Sequence, residues 1–153
     1  MSKQIDPRGQ RFAAALTALV LAVVLALSPS PIAVALLAAQ TALFAIAAGL
    51  GVSQTPHAWL FRSFVRPRLA PPREWEDAAP PRFAQTVGLV FAAVGLAGFL
   101  AGATAVGLVA TGFALVAALL NAIFGLCLGC EVYLLGRRTA ARVGAREASQ
   151  TAR

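Results

Sequence analysis

Charge is scarce in this sequence: only 12% of its 153 residues are Asp, Glu, Lys or Arg, and there is one histidine. None of these ionisable residues falls inside the long apolar runs that fill most of the chain. An ionisable side chain at mid-membrane depth is the usual mark of a proton relay or a charged-substrate pathway, and nothing here resembles one. Serine–histidine–aspartate hydrolysis and phosphate-loop chemistry have no candidate residues either. Cysteine is equally rare. Both copies, Cys127 and Cys130, sit in one C-x-x-C, a spacing too tight for a structural staple, so they say little about an oxidising compartment.

What is present is apolar. The chain is 59% hydrophobic with a mean hydropathy of +0.76, more apolar surface than a soluble fold can hide. A bilayer asks for about 17 to 25 apolar residues per spanning helix. Four such runs occur: Phe12 to Leu27, Ile32 to about Val52, Phe83 to about Leu100, and Val106 to about Phe124. The expected fold is therefore all-α, a polytopic membrane protein whose four transmembrane helices form two tandem hairpins in one domain. A basic start followed by an apolar run also describes a secretory signal. The length of the run, the prolines at 29 and 31, and the immediate second run favour a retained first helix.

The formal net charge of +7 and pI near 11.3 would suggest nucleic acid in a soluble protein. Here every basic residue lies in the amino terminus, the loop at 53–82 or the tail at 137–153, and the two hairpin tips carry none. That asymmetry is the positive-inside pattern. It predicts a cell-membrane protein with both termini and the central loop cytoplasmic, the lipid bilayer as its medium, and no nucleic-acid partner. Within the loop, Trp59, Leu60, Phe61, Phe64 and Val65 surround Arg62 and Arg66, which predicts a short amphipathic helix over Pro56 to Val65 at headgroup level. The proline-rich stretch at 66–81 reads as an irregular tether.

Asp6, Arg11, Phe12 and Ala13 recur as Asp77, Arg82, Phe83 and Ala84, each set opening a hairpin. Two tandem hairpins of one orientation would be a parallel repeat about an axis along the membrane normal; chance, with the habit of placing a basic residue before a span, is the competing account. Gly98 with Gly102, Gly125 with Gly129, and the heptad series Gly88, Gly95 and Gly102 read as close-packing helix surfaces. Gln40 and Asn121, polar residues inside the second and fourth spans, are expected to hydrogen-bond across helices. His57, alone in an interfacial segment, reads as a solvated ring.

The cysteine pair follows the fourth run directly, which places it at or near the cytoplasmic interface with a dithiol resting state. Residues three apart share a helix face, so two thiols are within reach of each other, a soft ion or a partner's disulfide. Two opposed predictions follow for their acidity. If the fourth helix runs unbroken through Tyr133, the pair lies on its last turns beside Glu131, which disfavours thiolate. If Gly125 or Gly129 breaks it, the pair caps a new helix bearing Arg137 and Arg138, which favours thiolate. As a metal site the pair is incomplete, since a closed zinc site wants four ligands and only His57 and Glu131 are available to join. No resident metal or cofactor is expected.

The motifs Asp6-Pro7-Arg8-Gly9-Gln10-Arg11-Phe12, Pro80-Pro81-Arg82-Phe83-Ala84, and Phe124 through Tyr133 with its Cys127-x-Gly129-Cys130-Glu131 resemble the bacterial membrane family catalogued as domain of unknown function 4395. The resemblance spans nearly the whole chain. It implies a four-helix membrane domain whose genes often neighbour those of thioredoxin-like and sulfurtransferase proteins. Some relatives open with Cys-Pro where this chain has Asp6-Pro7, so a third thiol is missing here.

The leading expectation is a membrane thiol–disulfide or sulfur-relay protein. Cys127 and Cys130 would react with a cytoplasmic thioredoxin-like or rhodanese-like partner, Glu131 would accept a proton, and Arg62, Arg66 and Arg68 would dock the partner. The alternatives are a small permease or permease subunit for a soft metal ion or reduced sulfur compound, and a non-catalytic membrane anchor. A homo-oligomer is left open.

Overall fold

The computed structural model of the protein describes residues 4–72 and 75–151, with side chains as far as Val143. Lys3, Arg73, Glu74, Arg153 and the side chain of Arg146, which entered the charge count, lie outside the described residues. Strand β1 (Gln4–Ile5) leads into α1 (Pro7–Leu27) and α2 (Pro31–Gly49). The short α3 (Pro56–Leu60) continues as a π-helical turn over Phe61–Val65 and a 3₁₀ turn over Arg66–Arg68. Strand β2 (Glu76–Asp77) precedes α4 (Ala79–Leu100), α5 (Thr104–Phe124) and α6 (Leu128–Thr151). Helices α1, α2, α4 and α5 are each long and apolar enough to cross a membrane.

Local chemistry sets the starts of α1, α2 and α4. Asp6 accepts the Arg8 backbone N–H at 3.0 Å, Ser30 Oγ accepts that of Ala33 at 3.2 Å, and Asp77 accepts that of Ala79 at 3.0 Å. Each start also carries proline, whose fixed φ and missing N–H suit a first helical turn. Thus α1 and α4 begin several residues before their apolar runs, and α2 begins one residue before its own.

Each spanning helix touches two others: α1 packs on α2 and α5, and α4 packs on α2 and α5. The seams between hairpins, α1–α5 and α2–α4, exceed the α1–α2 seam within the first. Packing is tight in the half of the bundle near the hairpin tips, where Leu21, Val24, Ala33, Leu37, Ala92 and Phe99 are buried together. There α4 and α5 meet backbone to backbone, and a Cβ on Gly98 would lie 2.7 Å from Gly107 N. Valine, leucine and phenylalanine side chains such as Leu19, Val90, Val109 and Phe113 cover the outside, as lipid requires.

The recurring motif marks a structural repeat. Ile5 pairs with Glu76 in an antiparallel ladder, and 76 − 5 = 71. At the same offset, Asp6 and Asp77 each accept the backbone N–H two residues on, at the starts of α1 and α4. Arg11 donates to Ala122 O and Ile123 O at the end of α5, and Arg82 donates to Ala48 O and Gly49 O at the end of α2. Phe12 packs on Phe61 with centroids 5.8 Å apart, and Phe83 packs on Tyr133 at 5.7 Å, both tilted by 44°. An arginine at the start of each hairpin therefore caps the last helix of the other.

Gly125, one of the two glycines expected to break the fourth helix, does so, and Gly102, read as a packing surface, is a turn residue as well. Gly102 (φ +75°) and Gly125 (φ +69°) adopt the left-handed conformation, which the chain needs to leave α4 and α5 abruptly and which residues with a Cβ avoid. A Cβ on Gly102 would meet open space. Gly88 and Gly95 do pack closely, against Phe44 and Thr111.

Candidate functional site

The cysteine stretch owes its shape to the break at Gly125. The Gly125 N–H returns to Asn121 O at 3.0 Å and the Leu126 N–H to Leu120 O at 3.2 Å, closing α5. Cys127 then stands at the N-cap of α6: its carbonyl accepts the Glu131 N–H at 3.0 Å. Its Sγ accepts the Cys130 backbone N–H at 3.3 Å. The two Cα atoms are 5.2 Å apart and the sulfurs are joined in a disulfide, where a dithiol was expected. A first helical turn puts residues three apart within disulfide reach, so the pair closes without disturbing α6.

This geometry breaks the helix at Gly125, so the pair stands at the start of a new helix. The unsatisfied N–H groups and positive dipole end of α6 point at Cys127. Arg11, bonded to the last carbonyls of α5, lines the same small cavity as both sulfurs. A helix N-terminus and a nearby cation are surroundings that favour a thiolate. Glu76 on that cavity wall opposes the effect. Glu131 is exposed on the first turn of α6 and lines neither cavity described below.

Two cavities meet at the disulfide. The larger, of about 570 Å³, fills the half of the bundle opposite the hairpin tips. The smaller, of about 250 Å³, lies over the starts of α1 and α4 beside Arg11, Glu76 and Pro81. Their common wall is Gln10, Ala84, Gln85, Asn121 and Cys127. Cys130 faces the smaller cavity alone. Helix α6 is docked against α4 through Gly129, where a Cβ would lie 2.6 Å from Ala84 Cα, and through Tyr133 on Phe83.

The chain belongs to the family described as domain of unknown function 4395. The family's model matches residues 5–138. No curated protein and no solved structure matches the chain. The family match covers all four membrane helices, both cavities' cysteines and the docked turns of α6.

The other residues singled out in the sequence are spread around this site. Gln40 does reach across helices, its Nε2 donating to Thr17 Oγ1 at 3.4 Å, while Asn121 lines the wall between the cavities. Arg62 and Arg66 line the outer part of the larger cavity, and Arg66 lies 5.9 Å over the Trp75 ring. Arg68 is exposed and donates to Phe64 O of its own turn. Trp59 and Phe64 are exposed and meet edge to face, whereas Phe61 is buried beneath α1, as a half-immersed helix requires. His57 is a cavity-lining ring rather than a solvated one, and burial holds its pKa below the usual histidine value. Among the described residues no group of three His, Cys, Asp or Glu is placed to hold a metal ion.

Reading the sequence missed Thr17, Gln10, Gln85 and the capping arginine Arg11. The repeat offset was the available signal for Arg11, because its counterpart Arg82 opens the second copy of the motif.

Proposed function

We propose that the protein is a membrane thiol–disulfide exchange or sulfur-relay protein whose Cys127–Cys130 pair reacts with a thioredoxin-like or rhodanese-like protein at the cytoplasmic face. The observation that carries this reading is the position of Cys127: an N-cap sulfur held by a backbone N–H, in a disulfide with Cys130, at the meeting of two cavities. A dithiol partner attacks Cys130 Sγ from the smaller cavity. The S–S bond breaks, a mixed disulfide forms on Cys130, and Cys127 leaves as the thiolate that α6 and Arg11 stabilise. The partner's second thiolate then attacks its own bridged sulfur and releases Cys130 as a thiol, so two electrons pass from partner to pair. In the relay variant, the Cys127 thiolate takes the outer sulfur of a partner persulfide and the partner's thiolate departs. Arg62, Arg66 and Arg68 are exposed around the loop and suit docking of an acidic partner surface; Glu131 is the proton acceptor on the outer side.

Sidedness rests on the arginine distribution. The test is trapping in cells combined with alkylation from each side of the membrane. Cys127→Ser should accumulate a mixed disulfide between Cys130 and the partner, and the double serine variant should trap none. Undiminished trapping in the double variant, or labelling of the thiols from outside only, would sink the reading. The larger cavity supports a second reading, a permease for a soft metal ion or reduced sulfur compound. Vesicle uptake that needs both thiols and no redox partner would establish it.

A further inference from the structure

The larger cavity contains a polar group that exchange with a protein partner does not use. Gln40 is 2% exposed, lines the cavity, and has its Oε1 buried without a hydrogen-bond partner. Thr17 beside it takes the Nε2 hydrogen at 3.4 Å and keeps its hydroxyl proton to give. The two side chains therefore offer both a donor and an acceptor to whatever occupies the cavity. Between them and Cys127 the walls are apolar at Ala13, Phe44, Gly88 and Ala117, and carry the amides of Gln10, Gln85 and Asn121 close to the sulfur.

Two residues of the cavity lining are also exposed. Phe91 on α4 and Phe113 on α5 are its deepest lining residues on those helices, with ring centroids 6.0 Å apart. Both rings are at the same time exposed on the outside of the bundle, at 36% and 60%. The α4–α5 seam at these two rings is the candidate lateral portal to the hydrocarbon layer. From Phe113 to Asn121, beside Cys127, the cavity runs about 12 Å along α5 at 1.5 Å per residue.

We propose that this cavity binds a lipid-soluble quinone that enters between Phe91 and Phe113 and accepts electrons from the reduced Cys127–Cys130 pair. The inference rests on the thiol–disulfide reading above and names its membrane-side reactant. Three observations select the class. The candidate portal faces lipid, so the ligand dissolves in hydrocarbon. A carboxamide paired with a hydroxyl serves a carbonyl oxygen before reaction and a hydroxyl after it. The disulfide on the cavity wall releases two electrons and two protons as it forms, the amount that converts a quinone to a quinol.

The Cys127 thiolate adds through Sγ to a ring carbon, and a ring oxygen takes one proton. The Cys130 thiolate then attacks Cys127 Sγ. The S–S bond forms, the S–C bond breaks with its electron pair returning to the ring, and the second oxygen takes the other proton. Both protons come from the two thiols, the pair is oxidised, and the quinone is reduced.

The experiment uses the full chain in lipid nanodiscs, reduced and freed of reductant, with decylubiquinone as the probe. One quinol formed and two thiols lost per protein is the expected result. Gln40→Leu should raise the half-saturating quinone concentration at least tenfold while leaving oxidation by glutathione disulfide, which arrives from water, unchanged. Ala117→Phe fills the same space from α5 without altering the carboxamide and should do likewise. Quinol formation with unaltered saturation in both variants would overturn the assigned seat. Oxidation by glutathione disulfide with no quinol formed would overturn the quinone and leave the exchange reading standing. Quinol formation without exchange with any thioredoxin-like protein would uphold the quinone and remove the protein partner.

Discussion

Thr55 and Cys127 hold equivalent positions in the two repeats. Thr55 Oγ1 accepts the backbone N–H of Ala58 at 3.2 Å, capping α3, and Cys127 Sγ accepts that of Cys130 at 3.3 Å, capping α6. The offset is 127 − 55 = 72, which also relates Ala58 to Cys130 and Phe61 to Tyr133. The second repeat therefore carries two sulfurs where the first carries an ordinary cap and a small apolar residue. The cysteines occupy a position whose structural duty threonine and alanine can fulfil.

That equivalence specifies a redox-dead protein that keeps its fold. Cys127→Thr with Cys130→Ala should retain the α6 start, whereas Cys127→Ala with Cys130→Ala loses the cap at a cost of about 0.5–2 kcal/mol. Amide hydrogen exchange over α6 in nanodiscs should distinguish the two double variants. Equal protection in both would mean that the Cys127 side chain does not hold the helix start.

Arg11 spans from the first helix to the broken end of α5, where its Nη2 lies 2.9 Å from Ile123 O. Arg11→Ala leaves those carbonyls to solvent and withdraws a cation from the cavity of the sulfurs. We expect alkylation of reduced Cys127 by iodoacetamide near neutral pH to slow several-fold. Arg82→Ala removes the matching bond at α2 and should leave the alkylation rate unchanged, which separates charge at the site from general loosening.

The sequence made the spans legible because apolar runs and charged loops contrast so sharply, and the arginine-bearing motif made the repeat visible. It offered Gly125 as a break only as an alternative to Gly129, and it did not distinguish Gly102 as a turn from Gly98 as a packing surface. A glycine in an apolar run serves either purpose, and only the path of the chain afterwards decides. Gln40 was recognisable as a polar residue in search of a partner, but its partner Thr17 follows from how α1 lies on α2. The cavity was not legible at all, since its lining is drawn from all six helices together, a property of no single segment.

Gly129 is where α6 leans on α4, with no room for a side chain beside Ala84. Gly129→Val should displace α6 and cost about 1–3 kcal/mol, the usual range for overpacking. Gly136, two turns further on, has nothing within 4 Å of the point where a Cβ would stand, so Gly136→Ala should be neutral or stabilise by about 0.5–1 kcal/mol through helix propensity alone. Thermal unfolding in detergent, followed by Tyr133 and Trp fluorescence, checks the pair; the reverse order would refute the docking of α6.

His57 supplies a pH dependence whose sign is fixed by its surroundings. Burial disfavours the imidazolium and holds its folded pKa below the ordinary 6.5. The unfolded chain therefore takes up the proton first as pH falls. The stability contributed by a neutral, buried ring is complete above about pH 6.5 and is lost on acidification through the folded pKa. The carboxyl of Asp6, depressed chiefly by its hydrogen bond from the Arg8 side chain, acts in the same direction in a separate window below its ordinary 3.8. The unfolding midpoint should fall between pH 7.5 and 5.5, and His57→Gln should flatten that slope while leaving the low-pH loss due to Asp6. An unchanged slope in the variant would assign the dependence to another group and leave His57 without a role in the wall of the cavity.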